Sequence, residues 1–257
     1  MVGTRPVLWH IVISHYSEKA RWALDHKGIP HVRKAPMPGL HGAYALVVTR
    51  GAQRRLPVLV LDGRRIGDST AIIEALEAYQ PEPPLYPADP ADRARALELE
   101  DFFDEQLAPA IRTIGWWHAL KDPELVGASL YSGDPKGRRA RVMGRLTPVF
   151  KPLMRFDYDV TEADAERSLA QIWAAMDRLE SEIQPSGYLA GDGFSVADLT
   201  AAALFTPALL PPERQYRPPV AAPAMQELRS ELEARDGGRW VHEMFARHRG
   251  VSAEVAA

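Results

Sequence analysis

The chain has 257 residues, a formal net charge of −3 and no cysteine. That length holds one large or two modest domains, the charge gives no electrostatic ground for a nucleic-acid partner, and the missing thiol excludes disulfides, thiolate metal sites and a cysteine nucleophile together. No stretch approaches the roughly eighteen apolar residues of a membrane span and Met1 to Pro6 has no signal-type core, so a cytoplasmic protein without a membrane partner is expected, from a G+C-rich bacterial source by its arginine and alanine content.

Val7 to Ile13 is an apolar run of strand length, and Ser17 to Lys27 carries Ala20, Ala23 and Leu24 on one helical face, with Gly28 as a C-terminal stop. His31 to Ala35 serves as a second strand, and Tyr44 to Val48 as a helical turn or two. Pro57 opens the run Val58 to Leu61, and Asp62-Gly63 is the dipeptide of a tight hairpin. Asp68-Ser69 then sits where a helix begins, with Ile72, Ile73, Leu76 and Tyr79 spaced to pack one face on the sheet. A proline cannot donate to a sheet ladder, so it leaves neighbouring backbone free, and a helix start offers unpaired N–H groups to a carboxylate. Together they form a peptide-shaped binding surface.

Five prolines between Pro81 and Pro90 make a stiff connector. Beyond it the pattern is helical: Ala91 to about Leu120, kinked at Pro109, then Lys136 to Phe156, Thr161 to Ile183, Ser195 to Phe205, Ala224 to Ala234 and Gly238 to His248. Pro207 to Pro223 reads as an ordered connection, with disorder as the alternative. Arg138-Arg139-Ala140-Arg141 reads as the wet face of a helix and receives no role. The eight histidines lack paired metal-ligand spacing, and neither a glycine-rich phosphate loop nor a Gly-x-Ser-x-Gly elbow is present, so no metal is expected.

A βαβ–ββα half, a proline opening the third strand, an Asp-Ser helix start, a proline-rich linker and a helical second half together resemble the glutathione transferase superfamily. Two segments carry the match: Ser14-His15-Tyr16-Ser17 at the first strand-to-helix turn, and Gly187 to Leu199, in which Ser195 and Asp198 are spaced for a capping box ahead of a buried helix. The resemblance implies an α/β plus all-α protein: a thioredoxin-like, glutathione-binding domain over 1–80, a linker over 81–90 and an all-helical domain over 91–257. It implies a transferase that joins the thiolate of glutathione, its co-substrate, to a small hydrophobic electrophile in detoxification, working as a homodimer. Two other readings stay open: a non-catalytic carrier or interaction protein on the same fold, and a transferase using another low-molecular-weight thiol.

The resemblance also assigns residues. Ser14 is the candidate donor to the thiol sulfur, with Tyr16 and Ser17 as rivals; Ser17 is more simply an N-cap and His15 a surface histidine. Leu56, ahead of a cis Pro57, would pair with the cysteinyl backbone. Asp68 would take the γ-glutamyl ammonium and Ser69 its carboxylate, although the family more often carries Glu-Ser there. Arg54 or Arg55, with Gln53 as a third possibility, would hold the glycyl carboxylate. Tyr16, Ile111, Trp116, Trp117 and Phe156 are the expected walls of an apolar electrophile pocket.

Overall fold

The computed structural model describes residues 5–131, 134–157, 160–216 and 221–256; the side chains of Phe150, Leu153, Met154, Phe156 and Asp157 lie outside the described set. The expected wall residue Phe156 and part of the Pro207 to Pro223 connection, 217–220, therefore lie outside it too.

The first eighty residues build β1 (Val7–Trp9), α1 (His15–His26), β2 (Val32–Lys34), α2 (His41–Val48), β3 (Val58–Leu61), β4 (Arg64–Gly67) and α3 (Ser69–Tyr79). The sheet order is β2-β1-β3-β4, with β1 parallel to β2 and antiparallel to β3, and β3 antiparallel to β4. Asp62 and Gly63 both have positive φ, 47° and 78°, as the tight turn between β3 and β4 requires. Two elements depart from expectation. The first strand ends at Trp9, because Ser14 N–H turns back to the Ile11 carbonyl at 3.1 Å. The first helix begins earlier than expected, at His15, because Ser14 caps it.

The helical half comprises α4 (Pro90–Phe102), α5 (Ala108–Ala119), α6 (Pro123–Leu130), α7 (Arg138–Asp157), α8 (Glu162–Glu182), α9 (Val196–Leu209), α10 (Pro223–Glu233) and α11 (Asp236–His248). The kink expected at Pro109 takes the form of a π-helical turn over Phe103–Leu107 that joins α4 to α5. Pro109 has no N–H for the carbonyl four residues back, so the chain widens by one residue there. The helix α6 was not expected, although Asp122 caps it and Pro123 stands at its first position. Helix α9 is buried on every side but at Pro207, and Ser195 and Asp198 close its capping box as spaced.

One apolar core crosses the proline-rich stretch. Leu8, Trp22, Leu24, Ile72 and Leu76 belong to the same buried cluster as Phe103, Leu107, Leu199 and Phe205, with α1 lying against α9. The C-terminal tail returns to the sheet. Glu254 bridges in parallel to His31, Val255 N–H donates to the His31 carbonyl at 2.9 Å, and Ala253 N–H to Asp25 Oδ1 at 2.8 Å. Arg249, fully buried, binds Glu18 at 2.7 Å and Asp25 at 2.9 Å, while Arg33 grips both oxygens of Asp25 at 2.7 Å.

Candidate active site

Strand register gathers the expected binding residues at one end of the sheet. Trp9 pairs with Val58, and Val58 in turn with Gly67. The end of β1, the start of β3 and the end of β4 therefore share one row, which puts the Ser14 loop, Leu56-Pro57 and Asp68-Ser69 side by side. The Leu56–Pro57 bond is cis. Leu56 is buried, and among the described residues neither its N–H nor its C=O bonds another backbone group.

Ser14 Oγ accepts from Ser17 N–H at 3.3 Å. Capping uses a lone pair and leaves the hydroxyl proton to be given elsewhere. Ser17 is not the cap: it lies in the first turn of α1, is fully buried, and its Oγ accepts from Ile11 N–H at 3.1 Å. Its hydroxyl oxygen is thus engaged behind the loop, on the side of Ile11. Half-buried Tyr16 donates its hydroxyl to the Asp104 carbonyl in the π-helical turn at 2.9 Å. Burial first, then the charge of Asp104, pushes its phenol up to about 12. His15 is a second correction, since it is buried rather than superficial, with its ring 4.7 Å from that of Tyr16. Burial and then Arg112 and Arg214 hold its imidazole down at about 3.

Two distant arginines, together with Arg21 and Lys19 of α1, none of which a local pattern picked out, frame this loop. Arg214 Nη2 donates to the Ile13 carbonyl at 2.7 Å. Arg21 donates to His10 Nδ1 at 2.7 Å and to the carbonyls of Ile11 and Val12 at 3.4 and 3.3 Å. Burial, with Arg21 and Arg33 beside it, keeps His10 neutral by holding it down at about 2. Arg112, one turn beyond Ala108 on α5, acts electrostatically on both His15 and Tyr16. Lys19, fully buried, binds Glu100 at 2.8 Å, Thr70 Oγ1 at 3.0 Å and Asp104, tying α1, α3 and the π-helical turn together beside Ser69.

On the facing helix start, Asp68 adopts φ 74° and its Oδ1 accepts from Thr70 N–H at 2.9 Å and Ala71 N–H at 3.3 Å. Ser69 is buried as the first residue of α3. Arg54 and Arg55 are exposed, and Gln53 donates to the Arg55 carbonyl at 2.8 Å. The Gln53 side chain lies across Gly67, where a Cβ would collide with it. The expected pocket walls divide. Ile111 is fully buried in the main core and so lines no open surface. Trp116 and Trp117 pack around Leu120, Val126 and Val160, about two turns along α5 from Ala108. Among the described residues no three His, Asp or Glu side chains gather as a metal would need.

Comparison with known proteins agrees with this architecture. Residues 8–84 match the family described as glutathione S-transferase, N-terminal domain, and residues 162–232 the one described as glutathione S-transferase, C-terminal domain. Glutathione S-transferase U4 of Arabidopsis thaliana is 28% identical over 157 residues, 52% of this chain and 66% of that protein. The maleylacetoacetate isomerase of Rattus norvegicus is 33% identical over 113 residues, 42% of this chain and 52% of its own length. The chain thus spans about half to two thirds of such curated relatives. Among solved structures, the beta-etherase LigF from Sphingobium sp. strain SYK-6 superposes with a TM-score of 0.60 at 20% identity, covering 93% of this chain and 99% of that one. A glutathione S-transferase from Methylobacterium radiotolerans, in complex with glutathione sulfonate, does so with a TM-score of 0.57 at 21% identity over 99% of both chains. At these identities the superpositions speak for the fold. With matched domains at both ends, in order and on the expected thioredoxin-like and helical halves, the chain belongs to the glutathione transferase superfamily.

Proposed function

We propose that the protein is a glutathione-dependent transferase that joins the tripeptide's sulfur to a small hydrophobic electrophile. One observation carries the reading: the β1–β3–β4 register brings a helix-capping serine with a spare proton, a Leu56 backbone that bonds no other backbone group among the described residues, and the Asp68-Ser69 helix start to one end of the sheet. In this reading Leu56 pairs with the cysteinyl backbone, and Ser69 with the N–H groups of α3 receives the γ-glutamyl carboxylate. The γ-glutamyl ammonium goes to Asp68 through its other oxygen, and the glycyl carboxylate to the exposed Arg54 or Arg55. The Ser14 O–H donates to the sulfur, favouring thiolate over thiol while the proton leaves to solvent. The thiolate then attacks an electrophilic carbon held between Tyr16 and α5. Metal plays no part in this reading, and the active form is a homodimer, which light scattering checks by mass.

A second reading is favoured by the relatives: proteins named as maleylacetoacetate isomerases or probable ones, from Drosophila melanogaster, Caenorhabditis elegans and Rattus norvegicus, are 30%, 34% and 33% identical over their aligned parts. Reversible addition of the same thiolate to a conjugated double bond would serve that isomerisation. Calorimetry with glutathione and with other small thiols, followed by turnover against a panel of electrophiles and cis-enones, tests both readings. Conjugation supports the transferase, isomerisation without conjugation the isomerase, and glutathione binding without turnover a carrier. Absence of any thiol binding defeats all three.

A further inference from the structure

Helix α7 carries six basic side chains and one acidic one in twenty residues, inside a chain that is acidic overall. Its packing partner is α6, and the contact is close: a Cβ on Gly127 would meet the Ala140 carbonyl, and one on Gly144 the Pro123 carbonyl. The inward face is thus made of Ala140, Gly144 and Thr147, all buried. The outward face is unusual in two ways. Val142, Leu146 and Val149, at helical spacings of four and three, stand 46%, 46% and 77% exposed. They are flanked by exposed Arg138, Arg139, Arg141, Arg145 and Arg155. Some other surface arginines hold carboxylates, as Arg167 does Asp164, Arg178 does Glu98 and Glu182, and Arg247 does Glu243, whereas Arg54, Arg55, Arg64 and Arg65 stand singly on the thioredoxin-like half. Among the described residues, no carboxylate stands within ion-pair distance of the five on α7.

We propose that α7 lies in the plane of an anionic lipid surface, its valines and leucine entering the headgroup boundary and its arginines meeting lipid phosphates. An in-plane helix needs an apolar strip and a cationic flank, not the length of a membrane span. The absence of a spanning segment, which leads the sequence alone to exclude a membrane partner, therefore does not bear on it. A second copy is a poor occupant, since pairing this face with itself sets arginine against arginine. Nucleic acid would satisfy the arginines but leave the aliphatic strip against phosphate. The inference is independent of any thiol chemistry.

Sedimentation of the full chain with phosphatidylcholine vesicles, with and without phosphatidylglycerol as about a third of the lipid, tests it. Binding is expected only with the anionic lipid, and is expected to weaken at about 0.5 M salt. The triple variant Arg138→Glu/Arg141→Glu/Arg145→Glu should lose at least about a hundredfold in binding, at about fivefold per arginine removed. Leu146→Asp/Val149→Asp should also lose at least about tenfold. All five positions are exposed, so circular dichroism should show both variants folded. Equal binding to neutral vesicles, or no vesicle binding, overturns the proposal. So does binding that survives the Asp substitutions or that a DNA duplex competes away as effectively, which would make the face a general polyanion site.

Discussion

A serine hydroxyl has one proton and two lone pairs, and at Ser14 the cap on α1 engages a lone pair only. Ser14→Ala should therefore raise the pKa of bound glutathione's thiol by about one unit, seen in thiolate absorbance, while tripeptide affinity changes little. An unmoved titration would pass the role to another donor. Asp68 works in two places, because the carboxylate proposed for the ammonium also caps α3. Asp68→Ala should weaken glutathione binding about tenfold by calorimetry and cost about 1 kcal/mol in urea unfolding. Loss of stability with unaltered affinity would leave it as a cap alone. The sequence made Pro57 legible as a strand opening and Asp68-Ser69 as a helix start because turn and cap chemistry is local, whereas it set the cap of α1 at Ser17 instead of Ser14. It hid Arg112 and Arg214, which reach the loop from about a hundred to two hundred residues away, and it hid the burial of His15 and Ser17, which depends on what packs over them.

Among the elements, the tail after α11 does more than finish the chain. Arg249 binds Glu18, Glu18 binds Arg21 at 2.6 Å, and Arg21 holds the Ile11 and Val12 carbonyls just ahead of Ser14. Burial alone would raise the Glu18 carboxyl, but Arg21, Arg249 and Arg214 together pull it below its ordinary value. Arg249→Ala takes one of two guanidiniums from each of the buried carboxylates Glu18 and Asp25, leaving Arg21 and Arg33 in place, and should cost about 2–3 kcal/mol in urea unfolding. A loss below about 1 kcal/mol would mean that water replaces the guanidinium. Helical periodicity revealed most of the helices, and Pro109 marked the break between α4 and α5. It could not reveal that the break would be a π-helical turn whose Asp104 faces Tyr16 and Lys19. Helix α6 escaped the periodicity because it is only eight residues long, although Asp122 and Pro123 mark its start.

For the whole molecule, one core spanning both halves predicts a single cooperative unfolding transition whose midpoint depends on pH. His10 and His15 are held at about 2 and about 3, so the unfolded chain takes up their protons first as the pH falls below 6.5. Each costs about 1.4 kcal/mol per pH unit in that window, near 5 kcal/mol together by pH 4.5. Asp198, raised by burial to about 6, acts oppositely and returns about 2 kcal/mol over the same range. With His26, His31, His118 and His248 also lowered and acting in the same direction as His10 and His15, a net loss of at least about 3 kcal/mol between pH 7 and 4.5 is expected in urea unfolding; a flat profile would show the imidazoles protonated in the native state. The four-stranded sheet has two flanks. Exposed Arg64 and Arg65 stand on β4, while Glu254 and Val255 run beside His31 at the entry to β2. Charge on one flank and a pinned peptide on the other deny a neighbouring molecule a template for strand addition. Cutting the chain after Gly250 should therefore turn a well-behaved solution cloudy as concentration rises, a change that turbidity would register.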